Sequence, residues 1–184
     1  MGRVRKYMPI TWMTFLLGSL ALIATPLFSG FYSKDSIILA VGASTLPAAG
    51  FAYYAVLAGV FVTAFYSFRL YFLVFHGKER YDQNPDQHHH AHHDDDGHGH
   101  GHDDHAKPHE SPWVVTLPLV LLAIPSVLIG YFTVNSMLFG DFFKGVIFVD
   151  AAKHPAMADL AQHFHGPVAM ALHAFTSVPF WLAV

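Results

Sequence analysis

The sequence lacks cysteine and has few charged residues. With no cysteine among its 184 residues, the chain cannot form disulfides, carry out thiolate chemistry or hold zinc or iron–sulfur clusters through cysteine. Charged residues make up 12% of it, about half the share of a soluble domain. The formal net charge of −3, with no basic stripe, gives no indication of a nucleic-acid partner. No phosphate loop or dinucleotide-binding motif occurs, so no flavin or nicotinamide site is expected on this chain.

Hydrophobic residues are what the chain has instead, at 53% of its length. Uncharged apolar runs of about 18 or more residues can cross a hydrocarbon core of roughly 30 Å. We therefore predict an all-α, polytopic transmembrane protein. Its predicted segments are a basic start and broken transmembrane helix (1–46), a second transmembrane helix (47–76), a loop rich in His and Asp (77–112), a third transmembrane helix (113–133), an external loop (134–166) and a truncated fourth transmembrane helix (167–184).

The first segment is too long for one straight span and too short for two spans with a loop. Its apolar halves are Ile10–Ala24 and Ser36–Leu46. Between them, Pro26 removes a helical hydrogen bond and Gly30 permits non-helical backbone. We therefore predict one discontinuous helix. Broken backbone at membrane depth is tolerated only where it is buried in protein or lines a wet cavity.

Lys34 and Asp35 are the candidate proton-transfer residues, and the sequence places them in this break. A charged pair inside a membrane segment is costly and usually marks an ion pathway or a paired site. Desolvation favours a neutral lysine and a nearby carboxylate favours a charged one, so a lysine with a movable partner can take up and release a proton. In the alternative interpretation, Lys34 reaches an interface while Ser33 or Asp35 caps the second half-helix.

Arg69 is a further candidate, in the second span. It shares a helix face with Thr63 and Tyr66, since residues three and four apart are neighbours on a helix. These side chains can form a polar strip. The alternative is an arginine near the cytoplasmic end of its span that reaches the lipid head groups.

The tract His88–His109 holds most of the chain's 15 histidines, interspersed with aspartates. Imidazole and carboxylate groups suit zinc, nickel or copper, but the tract has no fixed ligand spacing. Its composition predicts a solvated, disordered loop. We expect opportunistic metal binding there and no dedicated metal site on the chain. Basic residues before the first span and after the second place this loop in the cytoplasm.

Two stretches of sequence resemble a known family. The run from Arg5-Lys6-Tyr7-Met8-Pro9 to Gly30-Phe31-Tyr32-Ser33-Lys34-Asp35, and the motif Phe65-Tyr66-Ser67-Phe68-Arg69-Leu70 followed by Phe75-His76-Gly77, resemble the late membrane part of subunit L of bacterial NADH–quinone oxidoreductase (respiratory complex I, mitochondrial subunit 5). The resemblance covers residues 1 to about 80 and continues more loosely through 113–133 and 165–184. Related Mrp-type cation/proton antiporter subunits share similar elements.

The resemblance implies a membrane subunit of a proton-translocating NADH:quinone oxidoreductase in the bacterial inner (plasma) membrane. By position, Lys34 would be the lysine of the distal proton channel, with Asp35 beside it. The implied partners are the other membrane subunits of complex I, the lipid bilayer and protons. No cofactor is implied on this chain, whereas NAD, FMN, iron–sulfur clusters and quinone are expected elsewhere in the complex. The family's subunit is much longer, which implies that Met1 is an internal methionine and the chain a fragment.

Two other functions stay open at this point. One is a subunit of an Mrp-type cation/proton antiporter that uses the same lysine. The other is a divalent metal transporter with a His-rich cytoplasmic loop. The latter needs intramembrane ligands on facing helices, and the sequence offers only Asp35 and the internal histidine His173 for them.

Overall fold

The computed structural model describes residues 2–79, 108–148, 150 and 155–183. In that part of the chain every regular element is a helix, which confirms the all-α prediction. The helices are α1 (Pro9–Leu22), α2 (Ser29–Gly42), α3 (Ala49–Tyr71), α4 (Trp113–Val134), α5 (Ala156–His163), α6 (Pro167–Ala174) and α7 (Val178–Ala183). A 3₁₀ turn, Val4–Lys6, precedes α1, and π-helical turns extend α3 to His76 and α4 to Phe139. The predicted disordered loop falls mainly on residues 80–107, which lie outside the described residues.

Two helices with their extensions, Ala49–His76 and Trp113–Phe139, are long and apolar enough to cross a membrane. Their 28 and 27 residues correspond to about 40 Å of helix. Most of their large apolar side chains are exposed, as suits helices that face lipid or neighbouring membrane subunits and unlike the core helix of a soluble protein. They cover the predicted second and third spans, and the later one continues past residue 133.

The helices α1 and α2 are the two halves of a broken helix, as predicted. Each has 14 residues, about 21 Å of helix, which is too short to cross the hydrocarbon core alone. Their contacts follow one another along α4: Ile10 meets Glu110 just before α4, and Ser29 donates a 2.8 Å hydrogen bond to the carbonyl of Ser126. The two halves therefore run in succession in the direction of α4.

The helix α3 runs in the opposite direction alongside α1 and α2. At its far end, the indole Nε1–H of Trp12 donates a 2.6 Å hydrogen bond to the hydroxyl of Tyr71. At its beginning, the ring of Tyr53 packs against Gly42 near the end of α2. The first residues of α3 thus meet the last of α2, and its last residues meet the first of α1.

The break between the halves covers Ile23–Phe28. Ala24 and Leu27 have φ angles of 62° and 77°, the left-handed backbone that ends a helix and that residues with a Cβ rarely adopt. Pro26 lies between them and has no N–H to continue the hydrogen-bond ladder. A helix break at Pro26 is therefore confirmed.

The prediction that Lys34 and Asp35 lie within the break is wrong. The second half-helix begins at Ser29, and no side chain caps it, so both residues lie well inside regular helix. Gly30 is helical as well. A Cβ there would meet the backbone carbonyl of Ala21, so glycine is needed for the close approach of α2 to α1 rather than for a bend.

The C-terminal region is not the continuous fourth span that the sequence predicts for 167–184. It consists of α6 and α7 with a turn at Phe175–Ser177 between them. The hydroxyls of Thr176 and Ser177 donate hydrogen bonds back to carbonyls of α6, which ends that helix. Pro179 is the second residue of the next helix, a position at which a missing N–H costs nothing.

Buried side chains form two clusters that hold these elements together. One cluster joins α2, the end of α4 and α6, and consists of Phe31, Tyr32, Val134, Ala171 and Ala174. The other joins the N-terminal segment to the end of α3, and consists of Val4, Tyr71 and Phe75. The first cluster places α6 directly against the face of α2 that carries Asp35.

The N-terminal segment is attached on two sides. Arg3 lies 3.9 Å from the carboxylate of Glu79, just after α3. Glu110, just before α4, accepts a 2.8 Å hydrogen bond from the backbone N–H of Ile10 and a 2.6 Å hydrogen bond from the hydroxyl of Thr11. The carboxylate thus occupies the N-terminus of α1, where unpaired N–H groups favour an anion.

Candidate functional site

Lys34 is half-buried on α2 and directed toward the end of α1. Its ammonium donates a hydrogen bond to the backbone carbonyl of Leu22. In a continuous helix this carbonyl would accept from the N–H four residues later, but that residue is Pro26, which has none. The helix break therefore leaves one carbonyl without its usual partner, and Lys34 takes the place of that partner.

The same lysine lines a cavity of about 270 Å³ between α2 and α3. Thr63 contributes a hydroxyl to its wall, and the remaining lining is apolar. The volume is enough for several water molecules. The Lys34 side chain and the Thr63 hydroxyl thus face one small space beside the break.

Asp35 follows Lys34 directly, so its side chain leaves α2 about 100° further round the helix. It lines a second cavity of about 270 Å³, bounded by the break, Phe68 of α3 and Phe180 of α7. It also lines a larger cavity of about 610 Å³, whose wall includes His173 of α6 and Asp159 of α5. Broken backbone beside a cavity is the arrangement that a membrane tolerates.

Lys34 and Asp35 therefore face different neighbours. Among the described residues, no ion pair within 4.0 Å joins them. Lys34 contacts the end of α1, and Asp35 faces the side where α5, α6 and α7 lie. The two charges lie on one helix but border separate cavities.

His173 is a candidate that the sequence presented only as an internal histidine. It is exposed and lines the 610 Å³ cavity with Asp35, and its neighbour Ala174 belongs to the buried cluster that holds α6 against α2. The sequence feature that could have indicated it is a single histidine in an otherwise apolar C-terminal stretch. Only the packing of α6 against α2 connects it to Asp35.

Arg69 is not brought to the same place. It lies on an exposed part of α3, and among the described residues no hydrogen bond or ion pair holds its guanidinium. Thr63 lines the cavity beside Lys34, whereas Tyr66 is exposed like Arg69. The three residues predicted to share a polar strip are thus divided between a cavity wall and the outer surface.

Two buried hydroxyls add polar groups that the sequence did not single out. Tyr32 on α2 and Ser67 on α3 are 2% and 5% exposed, and neither hydroxyl has a hydrogen-bond partner among the described residues. An unpaired hydroxyl in an apolar environment costs free energy. Each is a position at which water or a neighbouring subunit can supply a hydrogen bond.

Comparison with known proteins connects this arrangement to one family. Residues 1–65, which carry the break, Lys34 and Asp35, match the family model described as NADH:quinone oxidoreductase/Mrp antiporter, TM. The whole chain is 59% identical over 184 residues to NADH-quinone oxidoreductase subunit L of Neisseria meningitidis serogroup A, and 58% identical to that of serogroup B. Over its whole length the chain is similar to one stretch of these subunit L proteins. The resemblance seen in the sequence is thereby confirmed.

The subunit L relatives are considerably longer than this chain. The two meningococcal proteins are matched over 100% of this chain but only 27% of their own length. The NAD(P)H-quinone oxidoreductase chain 5 of a Picosynechococcus species is 43% identical over 161 residues, which is 84% of this chain and 23% of that protein. The chain therefore spans about a quarter of the length of the curated relatives it matches.

Proposed function

We propose that this chain forms part of the distal proton channel of a proton-translocating NADH:quinone oxidoreductase, with Lys34 as the proton carrier. One observation carries the proposal. Lys34 bonds the Leu22 carbonyl, which lacks its usual partner because Pro26 has no N–H. A lysine held by such a carbonyl at a break in a membrane helix can bind a proton there and release it when the contact opens.

In this proposal, the break between α1 and α2 is the part of the structure that moves. The Leu22 carbonyl stabilises the protonated form of Lys34 by accepting its hydrogen bond, whereas desolvation favours the neutral amine. Ala24 and Leu27 hold left-handed backbone between the two half-helices, so a change at these residues displaces the carbonyl from the ammonium. Opening of the contact releases the proton, and closing favours the uptake of another.

Asp35 takes the proton onward on the other side of α2. Lys34 borders the cavity next to α3, and Asp35 borders the cavity next to α5 and α6. A proton that passes between these adjacent residues crosses from one cavity to the next. Arg69 has no step in this transfer, and we propose that its exposed guanidinium interacts with lipid head groups.

The energy for the movement comes from elsewhere in the complex under this proposal. The partners are the other membrane subunits, the lipid bilayer and protons, with no nucleic acid. NAD, FMN, iron–sulfur clusters and quinone belong to other subunits, and no cofactor belongs to this chain. We place the protein in the bacterial inner membrane with the His-rich segment on the cytoplasmic side, on the basis of its flanking basic residues.

The test is Lys34→Met in the full-length subunit assembled into the complex. Protons pumped per electron are measured in inverted membrane vesicles, and electron transfer is measured separately with an uncoupler present. We expect fewer protons per electron while uncoupled NADH oxidation persists. The matched control is the adjacent Ser33→Ala. Ser33 is exposed, and its hydroxyl bonds no described group but the carbonyl of Gly30 in its own helix. An unchanged ratio in the lysine variant would overturn the assignment.

A cation/proton antiporter subunit is the second candidate, because the matching family model covers Mrp antiporters as well. Both candidates use Lys34. They differ in what drives the proton: an antiporter exchanges Na⁺ or K⁺ for protons in vesicles without NADH. Exchange of that kind, abolished by Lys34→Met, would favour the antiporter over the oxidoreductase.

A further inference from the structure

A path of polar groups leads away from Asp35 through the 610 Å³ cavity. The cavity brings together α2, α5, α6 and the beginning of α3. The polar and titratable side chains on its wall are Asp35, Ser44, Tyr53, Tyr54, Asp159, His173 and Ser177. Asp35 is half-buried, whereas His173 and Asp159 are exposed. The polar groups thus extend from the helix that carries the proposed channel to exposed residues of α5 and α6.

Building on the proposed function, we infer that His173 carries the proton from Asp35 to the outer end of this cavity. The imidazole lines the same cavity as the carboxylate, and α6 packs against α2 through Ala171 and Ala174 on either side of His173. Among the described residues, neither ring nitrogen of His173 has a hydrogen-bond partner. Both nitrogens are therefore free for proton transfer, one toward Asp35 and the other toward water.

The step balances without any further reactant. Protonated Asp35 gives its proton to one ring nitrogen of neutral His173, which yields a carboxylate and an imidazolium. The imidazolium then loses the proton from its other nitrogen to water in the cavity. Histidine suits this role because it changes its charge near neutral pH.

Asp159 and His163 receive the proton next. The Asp159 carboxylate lies on the same cavity wall, and its Oδ1 is 3.8 Å from Nδ1 of His163 on the following turn of α5. Both side chains are more than half exposed. They form an exposed carboxylate–imidazole pair on α5 beside the cavity, and hence a place for release to bulk water.

The test compares His173→Phe with His165→Phe in the full-length subunit within the complex. His165 is also exposed and lies near the beginning of α6, but it does not line this cavity. We expect His173→Phe to lower protons per electron to the level of Lys34→Met while uncoupled electron transfer persists. The His165 variant should match the wild type. His173→Gln, which keeps a polar side chain, should lose as much as His173→Phe, because neither substitute titrates.

Chemical rescue separates a proton carrier from a structural residue. Imidazole should enter the cavity of a His173→Ala variant and restore part of the loss in protons per electron. Pyrazole, a ring of the same size that stays unprotonated at neutral pH, should restore none. Rescue by neither ring or by both would overturn the inference.

The ratio of protons per electron in the two variants distinguishes failure of the channel assignment from failure of the role of His173. If Lys34→Met lowers the ratio and His173→Phe does not, the channel assignment stands and the role of His173 is wrong. If Lys34→Met leaves the ratio unchanged, the channel assignment itself is wrong. When both hold, the Lys34→Met and His173→Phe double variant should lose no more than either single variant, because the residues act in one path.

Discussion

The ammonium of Lys34 donates a hydrogen bond to the carbonyl of Leu22, twelve residues earlier in the chain. This contact connects the two halves of the broken helix through a charged group. The carbonyl is available because of the residue at position 26, so the contact can be tested without changing either partner.

Pro26→Ala restores an N–H four residues after Leu22. That N–H competes for the Leu22 carbonyl, which weakens the hold on Lys34. We expect a ratio of protons per electron between that of the wild type and that of Lys34→Met, with uncoupled electron transfer retained. Pro118→Ala, inside α4, is the control and should leave the ratio at the wild-type value. A wild-type ratio in Pro26→Ala would show that the proline does not determine how Lys34 is held.

Glu110 makes the stability of the chain depend on pH. Burial tends to raise the pKa of its carboxyl, but hydrogen bonds from the Thr11 hydroxyl and the backbone N–H of Ile10 outweigh burial and lower the pKa overall. Because the pKa is lower in the folded state, the carboxylate contributes its full stabilisation of the fold above the unfolded-state pKa of about 4.3. This contribution is lost as the pH falls through the folded-state pKa.

Glu110→Gln should therefore be less stable than the wild type at neutral pH, by roughly 1 kcal/mol, the usual size of a helix-capping interaction. The difference should shrink as the pH drops below about 4. Thermal unfolding in detergent at several pH values measures both effects. Asp141→Asn removes an exposed carboxylate that, within the described part of the chain, pairs only with Lys144 at 3.3 Å, and it should be close to neutral. A Glu110→Gln deficit that stays constant with pH would contradict the assignment.

Gly130 is the one glycine of α4, and it lies against α2. A Cβ there would lie 2.6 Å from Cα of Ser29 and 2.7 Å from the ring of Tyr32. Gly130→Ala should therefore destabilise the protein by about 1–3 kcal/mol, although alanine is the better helix former. Gly59→Ala, where nothing lies within 4 Å, should be neutral or stabilising by up to about 1 kcal/mol. Thermal unfolding of both variants measures this contrast, and equal effects would count against the packing.

The sequence predicted the broken helix correctly because Pro26 lies in a segment too long for one straight span and too short for two. Proline alone is not sufficient, since two prolines lie inside α4 without ending it. The sequence placed Lys34 and Asp35 wrongly because Gly30 can act in two ways. A glycine either permits irregular backbone or permits close packing, and the choice depends on the neighbouring helix. Here the neighbour is the end of α1, and Gly30 is helical.

The relation between Asp35 and His173 could not be predicted for a different reason. It depends on how α6 packs against α2 through the small buried residues Ala171 and Ala174. No local pattern encodes that contact between distant parts of the chain. The same holds for Arg69. The sequence periodicity predicts on which face of α3 it lies, but not whether lipid or protein contacts that face.

The attachment of the N-terminal segment to both Glu79 and Glu110 has a consequence for the length of the chain between them. Glu79, at the end of one described range, contacts Arg3, and Glu110, near the start of the next range, contacts Ile10. Both ends of the intervening stretch therefore contact the same short N-terminal segment. Extending a loop between fixed ends costs little, about 0.6 kcal/mol for each doubling of its length. We therefore expect that exchanging residues 80–107 for a linker of another length costs little stability and leaves Lys34, Asp35 and His173 in place.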